Sequence, residues 1–250
     1  MSVPIPSLPN DPDWLYSPWG DYLLEWEARQ FDLGVADAFG FHALQLGLPK
    51  LDALRANRIP QRWLACAQAC SEPLKGHLAC EFSALPFPDA SIDLIVLPHT
   101  LEMSLDPHAT LREADRVLVP EGRLILTGFN PASWCGLRRA RRFGVPAART
   151  LIGPWRLRDW LHLLSFEIRI QALGAYRPLT RSERWLQRWS WMDRMGPRWW
   201  PVLGGVYYLE AVKRVRGMRL LGPSWRRATP ATSPAVASAS RQRMQQESSE

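Results

Sequence analysis

The chain has four cysteines in 250 residues, too sparse a set for a disulfide framework. Cys66, Cys70 and Cys80 follow no zinc-ligand spacing and no C-x-x-C pair occurs, so no metal site is expected. An unbroken apolar run of about 18 residues is also missing, which excludes an ordinary membrane-spanning helix. Met1 to Pro6 has neither a basic n-region nor an apolar h-region, so no signal peptide is expected. The chain then reads as cytoplasmic, with reduced thiols. Acids are outnumbered, 24 against 31 Lys and Arg, leaving a formal charge of +7 that suits an anionic partner but does not decide the fold. With 46 % hydrophobic and 22 % charged residues, a collagen-like or wholly disordered chain is excluded, and the length fits one large domain. What stands out is tryptophan, 13 residues of it, and any account has to place them.

Residues 1–19 are Pro-rich and are expected to wrap loosely over the surface. From Asp21, Tyr22, Leu23, Trp26 and Phe31 recur at a helical period, with Glu25, Glu27 and Arg29 between them, and the pattern ends near Gly34. Short strands are expected at Phe41–Gly47, Trp63–Ala67 and His77–Cys80, with two helical turns at Leu51–Ile59 closed by Pro60. Ile92–Leu97 is an apolar run that fits a strand buried on both faces. Asp106 and Pro107 form an N-cap and first position for a helix to about Leu118. A turn at Pro120–Gly122 and a buried strand at Arg123–Thr127 follow. Beyond them the pattern predicts a helix at Leu157–Leu164, a strand at Phe166–Leu173, a basic Trp-rich helical insert at Arg181–Trp200 and a strand at Gly205–Val212.

Alternating strands and helices with a hairpin-like ending predict an α/β fold. The expectation is a doubly wound, mostly parallel seven-stranded sheet with an antiparallel edge strand. Three regions follow: a helical N-terminal extension over residues 1–37, a main domain over 38–222 with a cap at about 177–204, and a disordered tail over 223–250. Ligands of such sheets sit beyond the C-terminal strand ends, so the groups after Leu46, Ala67, Cys80, Leu97 and Thr127 are the ones to watch.

One stretch carries more than pattern. Leu85-Pro-Phe-Pro-Asp-Ala-Ser-Ile-Asp-Leu-Ile-Val-Leu-Pro-His-Thr-Leu-Glu102 is followed by Asp106-Pro107, Leu111-Arg-Glu113, Arg116-Val-Leu-Val-Pro-Glu-Gly122 and Leu124-Ile125. This series closely resembles the class I S-adenosylmethionine-dependent methyltransferases of the small-molecule, type 11-like group. The resemblance implies S-adenosylmethionine as cofactor and a small methyl acceptor, apolar or quinone-like in character. It implies Glu81 near the adenine amino group, Phe82 against the ring, and Leu97, Pro98 and His99 lining the methyl-donor pocket and facing the acceptor. Gly47 would let the backbone approach the methionine moiety. His99 is the candidate general base, since an ordinary imidazole titrates near pH 6.5.

The chain departs from the family at two places. The Gly-rich turn G-x-G-x-G keeps only Gly47, with Pro49 and Leu51 in place of the other two. No acid closes the second strand, where Gln68 is left to bond a ribose hydroxyl through its carbonyl. These departures motivate a rival reading, a catalytically silent methyltransferase-like module that binds through its basic, Trp-rich surface. The cap, with Trp185, Trp189, Trp191, Trp199 and Trp200 among Arg184, Arg188, Arg194 and Arg198, reads as sheet packing, as a lid over an apolar acceptor, or as a peripheral membrane contact. Arg138–Arg142 reads as a phosphate-binding patch or a solvated helix face. An RNA acceptor is the weaker partner reading, because no RNA-binding module is visible. Oligomeric state is not legible.

Overall fold

The computed structural model describes residues 13–67, 76–133 and 151–214. Gln68, Cys70, the Arg138–Arg142 run and the tail at 223–250 lie outside the described residues, as do residues 1–12.

Seven strands form one sheet in the order β3-β2-β1-β4-β5-β7-β6. They are β1 His42–Leu46, β2 Gln61–Cys66, β3 His77–Ala79, β4 Ile92–Pro98, β5 Leu118–Phe129, β6 Phe166–Gly174 and β7 Val206–Lys213. The pairs among β1 to β5 are parallel, while β7 runs antiparallel to both β5 and β6. The antiparallel pairing thus falls at one edge of the sheet, as the sequence pattern implies. Order reverses between β1 and β4, which makes their C-terminal ends the topological switch point.

Two apolar layers sandwich the sheet. One joins Trp19, Leu23 and Phe31 to the β-residues Ala43, Leu94, Val96 and Ile125. The other joins Leu44, Leu46, Ile95 and Leu97 to Leu111 and Leu161. Helix α1, Pro18–Val35, covers the first layer. The Ser17 hydroxyl caps it by accepting from the Gly20 amide at 3.0 Å, and Pro18 at the first position costs no hydrogen bond.

The N-terminal lead is more integrated than its proline content suggests. Trp14, Leu15 and Trp19 are 2 % exposed or less, and Trp14 meets both Trp19 and Phe129 edge to face. The Gly20 position admits this packing, because a Cβ there would lie 2.0 Å from the Trp14 carbonyl oxygen. A loose wrap is therefore wrong for residues 14–19. The expected helix at Leu51–Ile59 is also absent, and turns take its place. Side chains claim its backbone groups: Gln45 Nε2, from β1, bonds the Leu51 carbonyl at 2.6 Å, and within the segment Asn57 Oδ1 accepts from the Ile59 amide at 2.7 Å. The Pro120–Gly122 turn lies inside β5 as an irregularity, where Glu121 takes φ 63° and the pairing jumps from Leu118 to Arg123.

Helix α2 is Thr100–Met103 and α3 is Pro107–Val117, the latter capped by Asp106 through the His108 and Ala109 amides at 2.9 and 3.0 Å. Helix α4 is Pro154–Leu163. The cap is two short helices, α5 Glu183–Arg188 and α6 Trp191–Trp199, with a helical turn at Pro201–Leu203. No helix among the described residues is long and apolar enough to cross a membrane.

Candidate functional site

The C-terminal strand ends carry most of the sequence-derived candidates. Gly47 follows β1 with φ 75°, a left-handed backbone that favours glycine. A Cβ built on it would stand 3.5 Å from Thr100 Oγ1 and 3.6 Å from Phe82 Cζ, both ordinary contacts. Conformation, more than close approach, therefore demands glycine here. Phe82 is buried, while Glu81 beside it is exposed and accepts a hydrogen bond from the Ser83 hydroxyl. Leu97 is fully buried in the second apolar layer, and Pro98 is buried next to it. Thr100, which the sequence did not single out, donates to the Leu46 carbonyl and ties the end of β1 to α2.

The eroded glycine turn is held by a residue that pattern reading passed over. Gln45 is 3 % exposed, and its Nε2 donates to the carbonyls of Gly47 and Leu48 at 3.2 Å and of Leu51 at 2.6 Å. Its Oε1 accepts from the Ala53 amide at 3.0 Å. One side chain thereby satisfies four backbone groups of a loop whose Leu48 also adopts a positive φ of 45°. Gln45 stands one residue before the end of β1, so the amide replaces glycine freedom with a fixed loop.

His99 occupies a different setting from the one expected of a base. It is 1 % exposed, takes φ 52°, and packs against Trp14 and Phe129 at ring separations of 5.3 and 4.2 Å. Its Nδ1 lies 2.8 Å from Glu102 Oε2 in hydrogen-bond geometry. Its Nε2 lies 2.8 Å from Glu27 Oε1, an ion pair off the N–H direction that leaves both Glu27 oxygens without a hydrogen bond. Glu102 also accepts from the Phe129 amide, which fixes it against β5. Burial works against a charged imidazole, but Glu27 and Glu102 outweigh it and push His99 up to about 10. Two adjacent carboxylates and the lack of solvent access both disfavour uptake of an acceptor's proton by this imidazole. This setting argues against the general-base expectation: His99 is buried between two carboxylates that favour its protonated form, and it links α1, β4 and α2.

Glu27 could have been found by stricter periodicity. Leu23, Glu27 and Phe31 stand at i, i+4 and i+8 on α1, so the acid falls within the apolar stripe that faces the sheet. Tyr207 closes the same neighbourhood from β7, its hydroxyl lying over Gly128, and burial together with Glu102 raises it well above the ordinary tyrosine range.

Two cavities flank the cap. One of about 670 Å³ lies between α1, the end of β6 and the cap, with Tyr22, Trp26, Arg177 and Asp193 among its walls. Asp193 accepts from Tyr22 Oη at 2.6 Å and from Arg177 Nε at 2.8 Å, and Arg177 stands over the Tyr22 ring. The other, about 270 Å³, is lined by Tyr176, Trp189, Trp191, Met192, Trp200 and Leu203. Among the described residues no group of three His, Cys, Asp or Glu side chains is placed to hold a metal.

Strand order, switch point and the buried central motif define a Rossmann-like methyltransferase fold. A family described as the methyltransferase domain matches residues 31–126. The uncharacterized protein YafS of Escherichia coli strain K12 is 34 % identical over 169 residues, which span 66 % of this chain and 69 % of that one. An S-adenosylmethionine-dependent methyltransferase from Archaeoglobus fulgidus superposes with a TM-score of 0.54 at 16 % identity, covering 77 % of this chain and 94 % of that one. The [4+2]-cyclase SpnF superposes at 0.55 and 17 % identity, covering 86 % of this chain and 88 % of that one. These two likenesses speak to fold alone. The chain belongs to the methyltransferase-domain family and has the class I methyltransferase fold.

Proposed function

We propose that the chain transfers a methyl group from S-adenosylmethionine to a small apolar acceptor held beneath the Trp-rich cap. The observation that carries this reading is the convergence of Gly47, Phe82 and Glu81 at the C-terminal ends of β1 and β3, beside β4. Glu81 offers an exposed carboxylate for the adenosine end of the cofactor, and Phe82 borders the same corner. Gln68, outside the described residues, remains the sequence's candidate for a ribose contact, and Leu97 and Pro98 close β4 at the same edge of the sheet. The adenosine end thus fits. At the methionine end the loop carbonyls of Gly47 and Leu48 are engaged by Gln45, so weaker donor binding is expected there than a full glycine turn would give.

The cofactor, when bound, supplies an electrophilic methyl on a sulfonium centre. The chain's own part is to hold the acceptor in line and to exclude water. With His99 committed to Glu27 and Glu102, the reading favours an acceptor whose nucleophile is available without a protein base. The 270 Å³ cavity supports an apolar acceptor, since aromatic and aliphatic side chains line it and Tyr176 places it beside the end of β6.

The test is turnover. S-adenosylhomocysteine release should depend on an added acceptor from a panel of small apolar aromatics and amines, and Trp189→Ala should lower it at least tenfold. Bound donor with no release across the panel would overturn the acceptor reading. The silent-module alternative draws on one observation, the loop closure by Gln45, and gains only if the donor does not bind at all.

A further inference from the structure

Helix α6 wears its polarity the wrong way round for a surface helix. Trp191, Met195 and Trp199, four residues apart in turn, are 41 %, 39 % and 64 % exposed. Its one acid, Asp193, points inward to Tyr22 and Arg177, and Gly196 is buried against the Tyr176 ring, where a Cβ would come within 2.3 Å. These contacts fix the rotation of the helix and keep the aromatic stripe outward. Trp200 and Val202 extend the stripe beyond α6, and Trp185 on α5 adds another exposed indole with Arg188 over its ring.

Cations border the stripe. Arg184, Arg188, Arg194 and Arg198 are all exposed, and none pairs with a carboxylate among the described residues. Arg194 and Arg198 repeat at the same four-residue spacing as the aromatics and so run alongside them. Exposed indoles next to unpaired guanidiniums match the boundary of an anionic bilayer, where the ring sits at headgroup depth and the cation meets phosphate. A folded protein partner would need neither the depth gradient nor the excess of one charge. Nucleic acid would use the arginines but leave Met195 and Val202 without a contact.

We propose that α5 and α6 form a membrane-surface site for anionic lipid, with α6 lying in the plane of the headgroups. Trp191 and Trp200 also line the 270 Å³ cavity, so the apolar surface offered to lipid continues into the interior of the cap. This inference does not depend on methyl transfer.

Flotation of the full chain with vesicles of phosphatidylcholine, with and without phosphatidylglycerol, tests it. The chain should float with the anionic vesicles at low salt and lose that binding as salt screens the arginines. Arg194→Gln with Arg198→Gln should weaken binding roughly thirtyfold, since each basic residue near an anionic surface contributes about 1 kcal/mol, or about fivefold, and the two factors multiply. Trp199→Ser should weaken it independently of salt, whereas Trp155→Ser, at an exposed tryptophan on α4, should leave it unchanged. Unchanged melting temperatures would show that the variants fold. No flotation, equal flotation on neutral vesicles, α6 variants that bind like the parent, or binding confined to a 30-nucleotide RNA probe would each overturn the proposal.

Discussion

Raising the pH from 6.5 to 10 should remove the positive charge from the Glu27–His99–Glu102 cluster and with it much of the fold's cohesion. His99 is raised from an ordinary 6.5 to about 10, against its burial, by the two carboxylates beside it. Because the folded value is the higher one, the contribution to stability is complete below pH 6.5 and is lost as pH rises through about 10. Each tenfold change in proton affinity is worth about 1.4 kcal/mol, so the loss is on the order of 5 kcal/mol at its ceiling. Urea unfolding followed by far-ultraviolet circular dichroism, at fixed ionic strength and half-unit steps of pH, measures it. His99→Asn is the informative variant, since asparagine tolerates the left-handed backbone at φ 52°. It leaves two buried carboxylates without their cation and should cost about 3–5 kcal/mol at pH 7. Its stability should then rise on acidification and show no loss between pH 7 and about 8. Tyr22, Tyr207 and Tyr208 are all held above the ordinary tyrosine value by burial, so their linkage begins only near pH 10, whereas burial raises the Cys80 thiol and adds a loss of the same sign above about pH 8, which makes the lower half of the range the diagnostic one. A parent protein whose stability is flat from pH 7 to 10, or a variant with the parent's slope, would refute the buried-cation argument.

Other substitutions probe the loop, the turn and the packing. Gln45→Leu should destabilise by about 1–3 kcal/mol and speed hydrogen exchange over residues 47–53, because buried backbone groups lose their partner. Gly47→Ala should cost about 1–2 kcal/mol in chemical denaturation through its φ of 75°, although the added methyl itself fits. Gly174→Ala should lower the melting temperature further, since a Cβ would meet the Trp26 ring at 2.0 Å and force that indole off β6.

The strands of the fold were legible wherever burial was two-sided. Ile92–Leu97 and Arg123–Thr127 could be placed as short, mostly apolar runs, and Asp106-Pro107 announced α3 through cap chemistry that acts locally. Leu51–Ile59 failed for the opposite reason: its periodicity favours helix, but Gln45 reaches across from β1 to take its backbone groups, and its own Asn57 bonds locally to the Ile59 amide and outward to the Val35 and Ala38 carbonyls. The N-terminal lead misled in the same way, because proline content describes the backbone and not the burial of Trp14 and Trp19. The motif singled out Gly47, Phe82 and Glu81, which lie at neighbouring strand ends, yet it could not show that His99 meets two carboxylates. One of them, Glu27, lies far away in sequence on α1, and only the sheet's topology brings it near.

The most direct measurement is calorimetric titration of the folded chain with S-adenosylhomocysteine, repeated on Glu81→Ala. The account predicts saturable binding in the parent that weakens at least tenfold in the variant, with both proteins melting at the same temperature. Absence of heat and of any thermal shift in the folded parent would contradict it, and would mean a methyltransferase fold that no longer takes the donor.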